Sequence, residues 1–281
     1  STRRLGTLPA PGVALLAEWY ARDLGVTLER ALMPSTRESQ LHALKDAGIL
    51  VNRLRYARDD VVPTTAFARQ ATTTYSRANA MWFAELSILT YFEPTMRRDQ
   101  LGRWGFLPSE YEGVSDKPSD THFFLTGTQD MLVLTFRGTL SLGNVATDLN
   151  ILKSTEDHTE GSVHAGFKNA LDAVWATRVL PLVRDRLRGR TLYVSGHSMG
   201  GALAQLAAFR LQHSGIDVAG VYTYGAPYIG DEDYVRDYDR ILAARTHNHI
   251  NHNDVVPYSP PWWLGYTLAA KDTGWRFVGT G

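Results

Sequence analysis

Thr191-Leu192-Tyr193-Val194-Ser195-Gly196-His197-Ser198-Met199-Gly200-Gly201-Ala202-Leu203-Ala204-Gln205-Leu206-Ala207-Ala208 joins three kinds of local sequence in one line. Its first five residues are strand formers, and the stretch from Ala202 onward is rich in good helix formers. Between them stands G-x-S-x-G, Gly196 to Gly200, where a strand has to turn sharply into a helix. A serine hydroxyl is a weak nucleophile unless it is exposed, oriented and next to a base. A strained turn lifts Ser198 clear of both elements, and glycines two residues to either side leave room for that backbone. The helix N-terminus behind it aims unpaired N–H groups and a positive dipole end at any oxyanion formed there. The alternative is a glycine-rich turn that only lets a helix pack on a sheet. The pattern alone leaves both open; the strand before and the alanine-rich helix after favour a nucleophile.

Outward from this stretch, strand and helix alternate. Thr121 to Thr126 and Met131 to Phe136 read as strands joined by the turn residues 127–130, a hairpin signal. Val163-His164-Ala165-Gly166-Phe167 opens a helix that runs through Leu171, Val174, Trp175 and Leu182 and stops at Gly189. Val221 to Pro227 reads as a strand and its exit loop, and Ala243 to Ile250 as a further strand. Such alternation through 121–254 predicts an α/β fold with a mainly parallel sheet covered on both faces. Active sites of these sheets lie at the strand C-terminal ends, where Thr139, Ser198 and Asp254 all fall.

The periphery is less regular. Ala78, Met81, Trp82, Leu86 and Leu89 recur at helical spacing between Tyr75 and Tyr91, as core packing does. Residues 94–120 read as a long surface connection, and 140–163 as polar and irregular with a short helix near Asn144 to Leu152. Residues 1–75 read as a helical N-terminal extension ahead of a 76–281 domain. Val13, Leu16, Tyr20 and Leu24 mark one helix; Met33-Pro34 breaks the pattern; Ser35 and Glu38 form a capping box for a second. Gln70 to Thr74 is the most linker-like stretch.

Composition excludes several classes. The 281 residues are 44% hydrophobic and 21% charged with net charge +0, so no global field favours nucleic acid or anionic membrane. The cluster Arg53, Arg55 and Arg58 reads as a solvated face rather than a nucleic-acid surface. Cysteine is absent, which removes disulfides and thiol chemistry and leaves the compartment open, secretion included. No apolar run approaches the roughly 18 residues of a membrane span, so the expectation is a soluble protein. His247, His249 and His252 cluster, but i, i+2 histidines alternating on a strand and followed by Asn and Asp are weak evidence for a metal, and no cofactor is expected. Oligomeric state is left open.

Five blocks together carry a resemblance. Phe136-Arg137-Gly138-Thr139, Val163 to Phe167, Gly196 to Gly201, Tyr224-Gly225-Ala226-Pro227 and Asp254-Val255-Val256-Pro257 fall in an order and spacing that resembles the class 3 (fungal-type) lipases of the α/β-hydrolase superfamily. The likeness covers roughly residues 78 to 276. It implies an α/β-hydrolase fold and a serine hydrolase cleaving carboxylic esters of lipids, acylglycerols or phospholipids, with transient contact to a lipid interface. It implies Ser198 as nucleophile, Asp254 as the triad acid, and the N–H groups of Thr139 and Met199 as the oxyanion hole. Without the resemblance, Asp254 reads equally as a turn-capping aspartate and Thr139 as an ordinary strand-end residue. The family's lid would fall on about Leu140 to Leu152, with Val145 where a tryptophan is frequent.

The base departs from the pattern. Family members carry the catalytic imidazole well after the acid, yet no histidine follows His252. His197 should point away from Ser198, His164 should order a helix start, and His249 and His252 flank the acid. The resemblance places the base beyond residue 281; the rival is a catalytically impaired lipase-like scaffold that binds lipid or a protein partner.

Overall fold

Runs such as Met131–Phe136 and Val218–Tyr224 are apolar at nearly every position rather than at alternate ones, so they require cover on both faces. The computed structural model, which describes residues 69–138, 152–251, 265–267, 269–270 and 275–278, gives them that cover. Both strands are buried at every residue. Seven strands form the main sheet: β1 (Glu112–Asp116), β2 (Thr121–Gly127), β3 (Met131–Phe136), β6 (Thr191–His197), β7 (Val218–Tyr224), β8 (Thr246–Asn251) and β9 (Trp275–Val278), in that spatial order. β1, β2 and β3 are antiparallel neighbours. From β3 to β9 every pairing is parallel, as the alternation of strand and helix required.

Helices cover both faces. On one lie α3 (Ala165–Val174), α5 (Met199–His213) and α6 (Glu232–Leu242), whose Leu171, Leu206, Phe209 and Tyr238 pack with Phe123, Leu134 and Val194 of the sheet. Four buried alanines on α5, Ala202, Ala204, Ala207 and Ala208, let it lie close to the strands. On the other face α1 (Arg77–Leu89) presents Trp82, Phe83 and Leu86 to Phe124, Val133, Tyr193 and Tyr222. Adjacent Phe123 and Phe124 thus serve opposite layers, the consequence of a period of two. Among the described residues, no helix is long and apolar enough to cross a membrane.

Three expectations are corrected. Residues 94–120 hold a helix, α2 (Pro94–Arg103), and the edge strand β1; α2 buries only Leu101, so it lacks the apolar stripe by which helices are read. Residues 153–155 and 162–164 form a small hairpin, β4 (Lys153–Thr155) and β5 (Ser162–His164), too short for its alternation to register. The helix from Ala165 to Leu187 is interrupted by a π-turn, Trp175–Val179, before α4 (Leu180–Leu187); Pro181 has no N–H to continue the α ladder. Residues 1–68 and the stretch 139–151 lie outside the described residues. Gln70 and Thr72 are firmly held: Tyr193 Oη receives the Thr72 N–H at 2.6 Å, and Asn79 exchanges two hydrogen bonds with the Gln70 backbone.

Two buried polar contacts lock the helical layer. Arg210 on α5 meets both carboxylate oxygens of Glu156 at 2.6 and 2.8 Å and Asp172 on α3 at 2.7 Å. Breaking a buried pair strands a charge, so Glu156→Gln should lower unfolding free energy by about 3 kcal/mol, read from urea denaturation. His164 precedes α3 and its Nδ1 receives the Gly166 N–H at 3.1 Å. The ring is 2% exposed, and burial lowers its pKa to about 4. The folded imidazole therefore stays neutral where the unfolded one gains a proton. Stability from this group is full above about pH 6.5 and is lost as pH falls toward 4, by roughly 3 kcal/mol. His164→Asn, which keeps a capping acceptor, should flatten that part of the stability–pH curve.

Candidate active site

The elbow is built by what its glycines lack. β6 ends at His197, and Ser198 takes φ 57 and ψ −131, a backbone that non-glycine residues rarely adopt. A Cβ at Gly196 would overlap Gly200 O, and a Cβ at Gly200 would overlap Phe136 O. Both glycines of G-x-S-x-G are thus required by close backbone approach, one across the turn and one against β3. The strained residue is held from both sides: its N–H donates to Tyr224 O at 2.9 Å, and its carbonyl receives the Gly201 N–H at 2.8 Å.

The Ser198 hydroxyl does not cap the helix that follows. Among the described residues its Oγ has no hydrogen-bond partner. In one respect the expectation is corrected: Ser198 is not lifted into solvent but is 2% exposed. The Gly138 backbone explains part of this, for a Cβ there would stand 3.0 Å from Ser198 Cβ and 2.7 Å from His197 O. A buried hydroxyl left unpaired is unusual and marks a place where another group is expected to act.

Oxyanion donors would come from two directions. Met199 is the first residue of the 15-residue α5, so its backbone N–H stands at the positive end of the helix. Phe136 pairs with Gly196 across β3 and β6, so the chain leaving β3 through Arg137 and Gly138 passes directly beside the elbow. Thr139 follows, outside the described residues. Arg137 N–H donates to His122 O at 2.9 Å, and Arg137 Nη2 meets Asp120 Oδ1 at 3.1 Å. Asp120 also accepts from His122 Nε2 at 2.8 Å. Tyr91 Oη receives the Gly138 N–H at 3.1 Å and meets His197 Nδ1 at 2.9 Å. Sequence reasoning missed Tyr91, His122 and Asp120, and no local pattern announces them.

Each described histidine near this edge is committed elsewhere. His197 is bonded to Tyr91, and burial lowers its pKa to about 4. His164 orders the start of α3, as expected. His249 Nδ1 lies 3.1 Å from Thr223 O, and its ring stacks on Tyr224 at 4.8 Å. His247 packs against Tyr222 at 4.7 Å. His252 and Asp254 lie outside the described residues. β8 nevertheless runs parallel to β7, and β7 to β6, so the chain leaving Asn251 departs from the same edge as Ser198, two strands or about 10 Å away. Among the described residues no cluster of His, Asp and Glu could hold a metal ion. A surface cleft of about 600 Å³ lined by His158, Thr159, Glu160, Arg236, Asp237 and Arg240 shares no residue with this edge.

Known proteins resemble this chain in sequence and in fold. Residues 133–263 match the family model for lipase (class 3). The secreted mono- and diacylglycerol lipase 1 of Fusarium solani is 31% identical over 138 residues, 48% of this chain and 41% of that protein. The chain spans about half the length, or less, of the curated relatives it matches (46%, 41% and 40%). The crystal structure of a lipase from Rhizopus microsporus var. chinensis superposes with a TM-score of 0.58 at 24% identity, covering 71% of this chain and 75% of that one. A triacylglycerol lipase described as having a serine protease triad at its catalytic centre gives 0.59 at 21%, over 68% and 78%. At such identities the superpositions speak for the fold. Over residues 133–263 the chain is similar to the class 3 lipases, and its fold is that of the α/β hydrolases.

Proposed function

We propose that this protein hydrolyses carboxylic esters of lipids through an acyl-enzyme on Ser198. The observation that carries the reading is the strained Ser198 at the N-terminus of α5 with its hydroxyl uncommitted. The Fusarium relative is named for mono- and diacylglycerols and the structural neighbour for triacylglycerols, which supports an acylglycerol as substrate, with phospholipid the next candidate.

In this mechanism a histidine oriented by Asp254 takes the Ser198 Oγ proton while Oγ bonds to the ester carbonyl carbon. The carbonyl oxygen becomes an oxyanion held by the N–H groups of Thr139 and Met199. As the tetrahedral centre collapses, the C–O bond to the alcohol breaks and the imidazolium returns the proton to it. Water, deprotonated by the same imidazole, then attacks the acyl carbonyl; the C–Oγ bond breaks, the imidazolium returns the proton to Ser198 Oγ, and the fatty acid is released. No step calls for a metal or redox cofactor. The low exposure of Ser198 means that chain at this edge has to move aside for an acyl chain to enter, which fits a substrate met at a lipid–water interface.

A fluorophosphonate probe should label the full-length wild-type protein and leave its Ser198→Ala variant unlabelled; an unlabelled full-length wild type would mark the protein as a lipid- or partner-binding scaffold instead. Fatty-acid release from triglyceride emulsion, phospholipid vesicles and p-nitrophenyl butyrate then ranks the substrates, with triglyceride or diglyceride expected to lead. Asp254→Asn should keep the fold and lower kcat by about 10⁴, because the imidazole loses its orienting acceptor. A drop of less than tenfold would remove Asp254 from the mechanism.

A further inference from the structure

Tyr91 stands where two parts of the proposed site meet, and the inference drawn from it rests on the ester-hydrolase reading above. The residue follows α1 in a turn whose carbonyls are clamped: Arg97 Nε donates to Phe92 O at 2.6 Å and Arg97 Nη2 to Thr90 O at 2.8 Å. Its ring meets the His197 ring edge-on at 6.0 Å. Its hydroxyl receives the Gly138 N–H at 3.1 Å and lies 2.9 Å from His197 Nδ1.

The donor count decides the direction of these bonds. Gly138 N–H can only donate, so the phenol oxygen accepts there. The single phenol proton is then free for Nδ1, which has to be the unprotonated nitrogen of a neutral imidazole. The opposite tautomer would leave the phenol proton without an acceptor in a buried place. Gly138 is also a glycine by necessity here, since a Cβ would come within 2.6 Å of Tyr91 Oη.

We propose that Tyr91 is a positioning residue, whose hydroxyl ties the chain leaving β3, one residue before the oxyanion donor Thr139, to the residue that precedes the nucleophile. The chain leaving β3 is thereby tied to the elbow by a side chain from the opposite helical layer. On the far flank Arg137 is anchored by the His122 carbonyl and the Asp120 carboxylate, so the strap is held on both sides of its peptide. Loss of the phenol oxygen leaves the β3–β6 pairing and the ring contact in place and frees only the Gly138 N–H and His197 Nδ1.

The test is Tyr91→Phe in the full chain. With a soluble p-nitrophenyl ester, KM should change less than twofold while kcat falls roughly 10- to 100-fold, below the roughly 10²–10³ for removing an oxyanion donor outright. Fluorophosphonate labelling should slow in parallel, with Tm within a few degrees of wild type. Imidazole ¹⁵N shifts should show His197 with its proton on Nε2 in the wild type and a mixed tautomer population in the variant. If Tyr91→Phe does not fold, 3-fluorotyrosine at position 91 keeps the bond and alters its strength, and kcat should then move severalfold at unchanged Tm. Wild-type kcat and labelling rate in a folded Tyr91→Phe or fluorotyrosine protein would overturn the proposal and leave the hydrolase reading standing. Failure of the wild type itself to label would remove both.

Discussion

The unfavourable backbone of Ser198 is the constraint that organises this molecule. A non-glycine residue at φ 57 and ψ −131 costs on the order of 1–3 kcal/mol and persists only where its surroundings leave no alternative. Those surroundings are the three central strands. β7 fixes the serine N–H through Tyr224 O, and β3 presses Phe136 O against Gly200. Gly196 and Gly200 close the turn on themselves. None of these contacts involves a polar side chain, so the elbow's shape does not depend on the protonation state of the site it serves.

The same strain has a directional consequence. Parallel strands place all their C-terminal ends on one edge, so a tight turn there brings an outward-pointing residue to the place where loops from several strands also end. β3 delivers Arg137 and Gly138 beside the elbow, and β8 delivers Asn251 to the same edge two strands away. Convergence of distant chain segments is thus a property of the sheet, and the side chains on those loops exploit it. The antiparallel β1–β2 pair is not idle either: it supplies Asp120 and the His122 carbonyl that brace Arg137.

Legibility in the sequence followed the range of the interactions involved. The elbow could be read because strand, turn glycines and helix formers are contiguous, and the parallel core because its strands are uniformly apolar. The β2–β3 hairpin was legible for the same reason. Tyr91 was not, because its partners lie 47 and 106 positions away and it reads locally as the end of an amphipathic helix. The β4–β5 hairpin escaped because three-residue strands carry no measurable period. The depth of Ser198 escaped because a motif specifies how the backbone turns and says nothing of what packs over it. Thr139 and Asp254 were reached through the resemblance to a family and not through periodicity, and both lie outside the described residues.

Strand alternation also settles which histidine the elbow cannot use. On β6, Tyr193 faces the α1 layer and Val194 faces the α5 layer. With a period of two, the same alternation turns the Gly196 position toward α5 and His197 toward α1. That is why the imidazole adjacent in sequence to Ser198 is bonded to Tyr91 and why a shift of one residue would be needed to bring it round. On β8, Asn248 joins Thr223 and Gln205 of α5, and His247 and His249 fall on the opposite face with Tyr222 and Tyr224. Histidines inside these strands are consequently directed into the layers above and below the sheet, and only a residue beyond a strand's C-terminal end can approach Ser198 from the edge. β9 runs parallel to β8, so the end of that strand opens onto the same edge as the chain leaving Asn251, and on the proposed mechanism the base for Ser198 would come from groups carried there.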